Sequence, residues 1–297
     1  MTIQPTTVTL SKSKGQLKFP LKIAILLNSY RSPFISEIRD SYIRSIGAVS
    51  PDSVLTFFLP AENPEDFPDP EKFDLIVLGG GNADPRKKHA WILRVHKFVL
   101  DLVRNHPGKK LLALCWGHQT VSLLFGGEVG DMDVPELGVT ESKLTQAGHH
   151  FFSGMAGPLK RPGANAGSGH HETGVGGGVG GGGIIRLQQH HRRVVETPPK
   201  GFYELLAGNQ AFLSHNNSIL TFQGHPEKDA RCAKLRIGDA TRWFGVDMGD
   251  HVALGRIQRD MERQHDGPEV WGRVFDWVRE KGPSTVTEVG HGGGMHL

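Results

Sequence analysis

Cysteine is scarce in this chain, and its scarcity excludes one class of protein. The 297 residues include only Cys115 and Cys232, too few for the disulfide framework of a small secreted protein. No apolar run reaches the length of a membrane-spanning helix, and residues 1–15 lack the apolar segment that marks a secretory signal. The sequence therefore predicts a cytoplasmic protein that has no contact with a membrane.

A large charge of either sign is also missing. The formal net charge is +3, which is too small to indicate a nucleic-acid-binding surface. Apolar residues make up 37% of the chain, enough for a hydrophobic core, although the 39 glycines add length without adding core. We expect one domain over residues 19–283, disordered tails at residues 1–18 and 284–297, and a flexible glycine-rich insertion at residues 161–183.

Apolar runs that are typical of buried strands alternate with segments of helical spacing in the first half of the chain. The strand-like runs lie at residues 21–27, 54–59, 73–78 and 111–114, and the helical segments at residues 34–46 and 86–105. This alternation predicts an α/β fold, a three-layer sandwich in which helices cover both faces of a mostly parallel central sheet.

Cys115 stands where one apolar run ends and a helical pattern begins. A cysteine on such a strand-to-helix turn has the placement of a nucleophile elbow, and the positive end of the helix dipole lowers the pKa of its thiol. Ala113 and Gly117 lie two residues to either side, where a tight turn has no room for larger side chains. A buried structural cysteine is the other interpretation, and this stretch alone does not decide between them.

His225 and Glu227 follow the last strand-like run and are separated by Pro226. In an extended chain, side chains two residues apart point the same way and lie about 6.6 Å apart, and the proline disfavours a helix here. Glu227 can then hold one imidazole nitrogen while the other faces a nucleophile, which is the arrangement that activates a thiol. Taken alone, the segment also fits an ordinary polar loop.

The pattern Cys-x-Gly-x-Gln that begins at Cys115, followed far along the chain by Gly-His-Pro-Glu, resembles the class I (triad) glutamine amidotransferase domain. The resemblance covers the chain from about residue 21 to about residue 230. The form that it resembles is a stand-alone one, similar to the glutaminase domains of GMP synthases and to γ-glutamyl peptidases, and the resemblance implies a fold of the flavodoxin-like type. The resemblance implies that Cys115 is the nucleophile, His225 the base and Glu227 the residue that orients the base.

Three glycines, Gly79 to Gly81, end the third strand-like run, where an open α/β sheet binds its ligands. A dinucleotide-binding loop is disfavoured, because Asp84 stands where the G-x-G-x-x-G pattern needs its last glycine. In the family that this sequence resembles, such a loop supplies one N–H of an oxyanion hole, and the residue after the nucleophile supplies the other. The resemblance therefore implies an oxyanion hole formed by Gly80 or Gly81 together with Trp116.

Two further side chains are implied by the resemblance as contacts of the substrate. Gln119, in the motif that follows Cys115, is expected to touch the bound glutamyl group. His191 is the best match to a histidine near the substrate, and His190 is the next.

Metal binding is the other chemistry that the histidines raise. The pairs at residues 149–150, 170–171 and 190–191 lack the helical i, i+4 spacing, and no Cys-x-x-Cys accompanies them. The His-x-Glu of His225 and Glu227 lacks the Pro-Cys-x-x-Cys partner of the zinc deaminases. We expect no metal and no cofactor.

The resemblance implies a stand-alone amide hydrolase that attacks the γ-carbonyl of glutamine or of another γ-glutamyl compound and forms a thioester. An ammonia-accepting synthetase is then an expected partner. A γ-glutamyl peptidase that acts on glutathione-like conjugates would use the same triad, and the leaving group distinguishes the two. The third hypothesis is a non-catalytic regulatory or binding protein that retains the triad, for which an ordinary pKa of the Cys115 thiol would be evidence.

Overall fold

The computed structural model describes residues 5–10, 20–153, 183–235, 237–238, 245–247 and 249–283. Residues 161–182 of the predicted insertion and the predicted tail at residues 284–297 lie outside these ranges. Gly183, the last residue of the predicted insertion, is described, and its carbonyl oxygen accepts a hydrogen bond from the Leu144 N–H at 2.9 Å.

Ten strands lie within the described residues, and eight of them form one sheet. The strands are β1 (Thr6–Thr9), β2 (Lys22–Asn28), β3 (Val54–Phe58), β4 (Leu75–Gly81), β5 (Lys110–Leu114), β6 (Glu128–Lys143), β7 (Ile184–Thr197), β8 (Phe202–Leu206), β9 (Ala211–Ser214) and β10 (Ile219–Phe222). The sheet has the order β1-β3-β2-β4-β5-β10-β9-β8, and β6 and β7 form a separate pair.

The centre of the sheet is parallel and its edges are antiparallel. Strands β3, β2, β4, β5 and β10 run parallel to one another, whereas β1, β9 and β8 pair in the antiparallel sense. Counted along the chain, the five parallel strands have the order 2-1-3-4-5, which is that of flavodoxin-like sheets.

Helices cover both faces of this sheet. They are α1 (Ile35–Val49), α2 (Ala90–Asn105), α3 (Trp116–Leu124), α4 (Gln146–Phe152), α5 (Ala230–Lys234), α6 (His251–Glu262) and α7 (Gly267–Arg279), with a short 3-10 turn at Pro70–Lys72. Among the helices described, none is both long enough and apolar enough to cross a bilayer.

Alternate residues of the parallel strands enter two separate cores. In β2, Ile23 and Ile25 pack in the core that includes Trp271 of α7, while Ala24 and Leu26 pack in the core that includes residues of α2 and α3. This division follows from the two-residue period of a strand, because successive side chains point to opposite faces. The predicted three-layer α/β fold is confirmed.

Strand β1 corrects the prediction of a disordered tail for residues 6–9. Their backbone pairs with β3, from Thr6 opposite Phe57 to Thr9 opposite Val54. The pairing satisfies backbone groups that an uncovered edge strand would leave open, and it places the buried side chain of Leu10 against the core. The remaining residues of the predicted tail lie outside the described ranges or, for Pro5, precede this strand.

The β6–β7 pair is longer than the sequence predicts. The sequence pattern predicts two short β segments at residues 138–140 and 143–145, whereas β6 is one strand whose pairing with β7 shifts register between Asp131 and Glu136. Thr145 lies beyond its end and caps α4, because its hydroxyl accepts a hydrogen bond from the Gly148 N–H at 3.0 Å. The pair brings β7 to the carboxyl edge of the main sheet, where Gln188 and His225 form an isolated antiparallel β-bridge.

Candidate functional site

A cavity lies at the carboxyl edge of the parallel strands, and the residues that end those strands line it. Its lining comprises Leu27, Ser29, Ile38, Gly80, Gly81, Cys115, His190, His225, Glu227, Lys228 and Cys232. The structure thus brings together five residues that the sequence predicts for one site: Cys115, His225, Glu227, Gly80 and Gly81.

Cys115 occupies the sharp turn between β5 and α3. Its φ is 49° and its ψ is −100°, a positive φ that costs energy for a residue other than glycine and persists only where the surroundings impose it. Its N–H donates to the carbonyl of Phe222 in β10 at 2.8 Å, and its carbonyl accepts from the Gln119 N–H in α3 at 3.0 Å. These bonds hold the thiol at the N-terminus of α3, as an elbow requires.

Gly117 allows that turn to pack against β4. A Cβ at this position would lie 2.2 Å from the carbonyl oxygen of Leu78, a distance that no side chain tolerates. Ala113, at the other small position, is fully buried in β5 and pairs with Leu78 and Thr221 of the neighbouring strands. The small residues around Cys115 therefore have the packing role that the sequence predicts.

His225 and Glu227 form a buried pair across Pro226. The Nδ1 atom of His225 lies 2.6 Å from Oε1 of Glu227, and the two residues are 5% and 4% exposed. The His225 N–H donates to the carbonyl of Gln188 in β7 at 2.9 Å, while the hydroxyl of Ser41 in α1 donates to the Glu227 carbonyl at 2.7 Å. Strand β7 and helix α1 thus fix the segment from both sides.

The electrostatics of the pair favour an ionised thiol. Burial raises the pKa of the Cys115 thiol, but the charge of His225 and a side-chain hydrogen bond with it lower that pKa, with smaller effects of His191 and Lys228, to about 7. Burial and Lys228 lower the pKa of His225, yet Glu227 and Cys115 raise it further, so the net direction is upward. Burial raises the pKa of Glu227, and His225 and Lys228 bring it below its ordinary value. A thiolate, an imidazolium and a carboxylate can therefore coexist here.

The glycines that end β4 have little room for a side chain on the sides that face His225 and Trp116. A Cβ on Gly80 would lie 3.0 Å from Cε1 of His225 and 3.8 Å from Cβ of Cys115, and one on Gly81 would lie 3.0 Å from Cγ of Trp116. Trp116 is the first residue of α3, so its N–H has no acceptor within the helix. The role of Gly80 or Gly81 together with Trp116 in an oxyanion hole stays a prediction.

The two predicted substrate contacts lie beside the cavity and are not among its lining residues. The Gln119 side chain donates to the Arg193 carbonyl at 2.9 Å and to Oε1 of Gln223 at 3.0 Å. His191 is held between the Arg193 carbonyl, 2.9 Å from Nδ1, and Glu136, 3.0 Å from Nε2. His190, the second choice, lines the cavity.

Sequence reasoning missed Lys228, Cys232, Ser29 and Ile38 as lining residues of the cavity. Two of them had a detectable signal, since Lys228 directly follows Glu227 and Ser29 directly follows β2 at the edge where α/β sheets bind ligands. Cys232 and Ile38 lie on helices, and only packing brings them here. Among the described residues, no three cysteine, histidine or acidic side chains converge to hold a metal ion.

Comparisons with known sequences identify the family. The sequence model of the family described as glutamine amidotransferase class-I matches residues 52–238, more than half of the chain. The glutamine amidotransferase-like protein chyE of Penicillium rubens is 31% identical over 263 residues, which cover 88% of this chain and 98% of that protein. A second relative, named as one subunit of the glutamine-hydrolysing GMP synthase of Sulfolobus acidocaldarius, is 27% identical over 163 residues, 53% of this chain and 69% of that protein.

A solved structure agrees at the level of the fold. A glutamine amidotransferase from Thermotoga maritima superimposes with a TM-score of 0.60, at 15% identity, and the match covers 88% of this chain and 100% of that one. On the sequence match and the fold together, this chain belongs to the class I glutamine amidotransferase family.

Proposed function

We propose that this protein hydrolyses the γ-amide of glutamine through a thioester on Cys115. The observation that carries the proposal is the convergence of Cys115, His225 and Glu227 at one cavity on the carboxyl edge of the sheet. The same three residue types in this order are the ones that the family motif implies. A nucleophile, a base and an orienting carboxylate within reach of each other form the working arrangement of covalent hydrolysis.

The first half-reaction begins with a proton on His225 and a thiolate on Cys115. The thiolate attacks the γ-carbonyl carbon, and the N–H groups of Gly80 or Gly81 and of Trp116 receive the oxyanion. His225 gives its proton to the leaving nitrogen as the C–N bond breaks, so that ammonia departs and a thioester remains.

The second half-reaction releases the acid. His225, now neutral, accepts a proton from a water molecule as its oxygen attacks the thioester carbon. The C–S bond then breaks, glutamate leaves, and Cys115 returns as the thiolate beside protonated His225. Glu227 remains ionised throughout and holds Nδ1, so that Nε2 is the nitrogen that exchanges protons.

The relative that is named as part of a GMP synthase supports a second part of the proposal. We propose that the ammonia is passed to an acceptor enzyme on a separate chain. This part of the proposal predicts a low basal rate of glutamine hydrolysis that rises when the acceptor is present.

The experiment incubates purified wild-type protein and the Cys115→Ala variant with glutamine, and separately with glutathione, and measures free ammonia and free glutamate. Ammonia from glutamine that is lost in the variant is the expected result. If the protein releases glutamate from glutathione but no ammonia from glutamine, the proposal is wrong and the protein is a γ-glutamyl peptidase. Identical product levels in wild type and variant would contradict any role for Cys115 in hydrolysis.

A further inference from the structure

Four charged side chains join the segment after β4 to the β6–β7 pair. They are Asp84, Arg86, Asp131 and Arg193, here called the Arg193 bridge. Arg86 contacts both carboxylates at 2.8 Å, and Nε of Arg193 lies 3.7 Å from Asp84 and 3.5 Å from Asp131. Asp84 follows Gly81, the last residue of β4, by three residues, so the bridge acts on the segment directly after the proposed oxyanion donors.

Arg193 also contacts that segment through its backbone. The Nη1 atom of Arg193 donates to the Ala83 carbonyl at 3.4 Å, while Nη1 of Arg86 donates to the Val129 carbonyl in β6 at 3.1 Å. The segment after β4 is therefore fixed both by its side-chain carboxylate and by a main-chain carbonyl. A segment held at two such points has little freedom to rotate its peptide groups.

The carbonyl of Arg193 connects the same residue to the elbow helix. It accepts hydrogen bonds from the side chain of Gln119 and from His191, both at 2.9 Å. Gln119 lies in α3, whose first residue, Trp116, carries the other proposed oxyanion N–H. Arg193 thus contacts the segment directly after β4 with its side chain and a side chain of α3 with its carbonyl.

Two members of the bridge are largely buried. The side chains of Arg193 and Asp84 are 9% and 12% exposed, whereas that of Asp131 is 65% exposed. Charges interact more strongly where water is excluded, and exposed ion pairs contribute little. Burial raises the pKa of Asp84, but hydrogen bonds from Arg86 and the charge of Arg193 lower it to about 2.

We propose that Arg193 is a positioning residue, which holds the Gly80–Gly81 segment against α3 so that the two N–H groups converge on one oxyanion. This inference rests on the proposed function for its biological meaning, because only an acyl-transfer reaction needs an oxyanion hole. It assigns to β7 a role in transition-state stabilisation that the motifs around Cys115 and His225 do not include.

The test compares two reactions of Cys115 that differ in their need for oxyanion donors. Iodoacetamide alkylates the thiolate by displacement at a saturated carbon, where the C–S bond forms as iodide leaves. With p-nitrophenyl acetate the thiolate attacks a carbonyl, an oxyanion forms, and p-nitrophenolate leaves to give the acetyl thioester. Mass spectrometry of the peptide that contains Cys115 measures both rates without interference from Cys232.

For Arg193→Met we expect an alkylation rate within about twofold of wild type and an acylation rate at least about tenfold lower, since loss of an aligned oxyanion donor costs about 10²–10³ in rate. Arg193→Lys keeps the positive charge but loses the forked geometry of the guanidinium. Its acylation rate should lie between the rates of wild type and Arg193→Met. Lys97→Met, which removes an exposed ion pair with Asp101 on α2, is the matched control and should change neither rate.

Equal falls in both rates, or an unchanged acylation rate, would overturn the inference. If Arg193→Met does not give the thermal melt of a folded protein, Asp84→Ala loosens the same bridge from the other side and must show the same separation of rates. Absence of glutamine hydrolysis by the wild type would refute the proposed function alone, because the ratio of the two Cys115 rates is measured without glutamine.

Discussion

Nδ1 of His225 lies 2.6 Å from Oε1 of Glu227 in a site where both side chains are buried. With the carboxylate ionised, Nδ1 carries the proton and donates this hydrogen bond. The tautomer of the neutral ring is thereby set, and Nε2 is left for the thiol of Cys115. Two residues that the sequence separates only by Pro226 thus determine which nitrogen can exchange a proton with the nucleophile.

Replacement of Glu227 by Gln should slow hydrolysis without abolishing it. The amide cannot supply the negative charge that raises the pKa of His225, so that pKa falls and less imidazolium is present to protonate the leaving group. We expect kcat to drop about 10²-fold, within the range of general acid–base contributions, with a smaller loss than for Cys115→Ser or His225→Ala. A pH profile of kcat whose alkaline limb does not move to lower pH in Glu227→Gln would contradict this account.

The pH dependence of thiol alkylation should report the pKa of Cys115. Because that pKa lies near 7, below the ordinary value of a cysteine, the rate with iodoacetamide should rise through neutral pH and level off by about pH 8. In His225→Ala the charge that lowers the pKa is gone while burial remains, so the rise should move to higher pH. Identical profiles for the two proteins would show that His225 does not ionise the thiol.

Gly117→Ala should destabilise the fold, which is the opposite of what helix propensity predicts. Alanine in a helix is ordinarily better than glycine by about 0.5–1 kcal/mol, but here its Cβ would lie 2.2 Å from the Leu78 carbonyl oxygen. We expect a loss of about 1–3 kcal/mol in the free energy of unfolding. Urea denaturation measures it.

The matched control for that substitution is Gly272→Ala in α7. The nearest atom to its Cβ would be Cγ1 of Val49 at 4.0 Å, so only the propensity gain remains. A stabilisation of about 0.5–1 kcal/mol is expected. If the two substitutions changed stability in the same direction, close packing at Gly117 would not be the cause.

Gly80→Ala should impair activity while leaving the fold intact. The added methyl would lie 3.0 Å from Cε1 of His225, which forces the imidazole to shift by a few tenths of an ångström away from Glu227 or Cys115. Displacements of this kind in a catalytic arrangement cost about tenfold or more in kcat. Gly108→Ala, whose Cβ would have no neighbour within 4 Å, should retain wild-type kcat, and the two melting temperatures should agree.

The features that could be predicted from the amino-acid sequence are those whose signals are local. Cys115 at a strand-to-helix junction, the small residues around it and the i, i+2 pair of His225 and Glu227 depend on backbone geometry over a few residues. The alternation of apolar runs with helical spacing was likewise sufficient for a parallel sheet covered by helices on both faces. These predictions needed only the period of a strand, the dipole of a helix and the φ restriction of proline.

Tertiary packing selects the side chains that meet across long stretches of chain. His190 rather than His191 lines the cavity, because a strand turns alternate residues to opposite sides and the register of β7 is set by its pairing with β6, including the shift between Asp131 and Glu136. A one-residue change in register exchanges the two faces of a strand. Strand β1 and the Arg193 bridge arise in the same way, since the free energy that stabilises them comes from partners distant in sequence. No local sequence pattern predicts either of them.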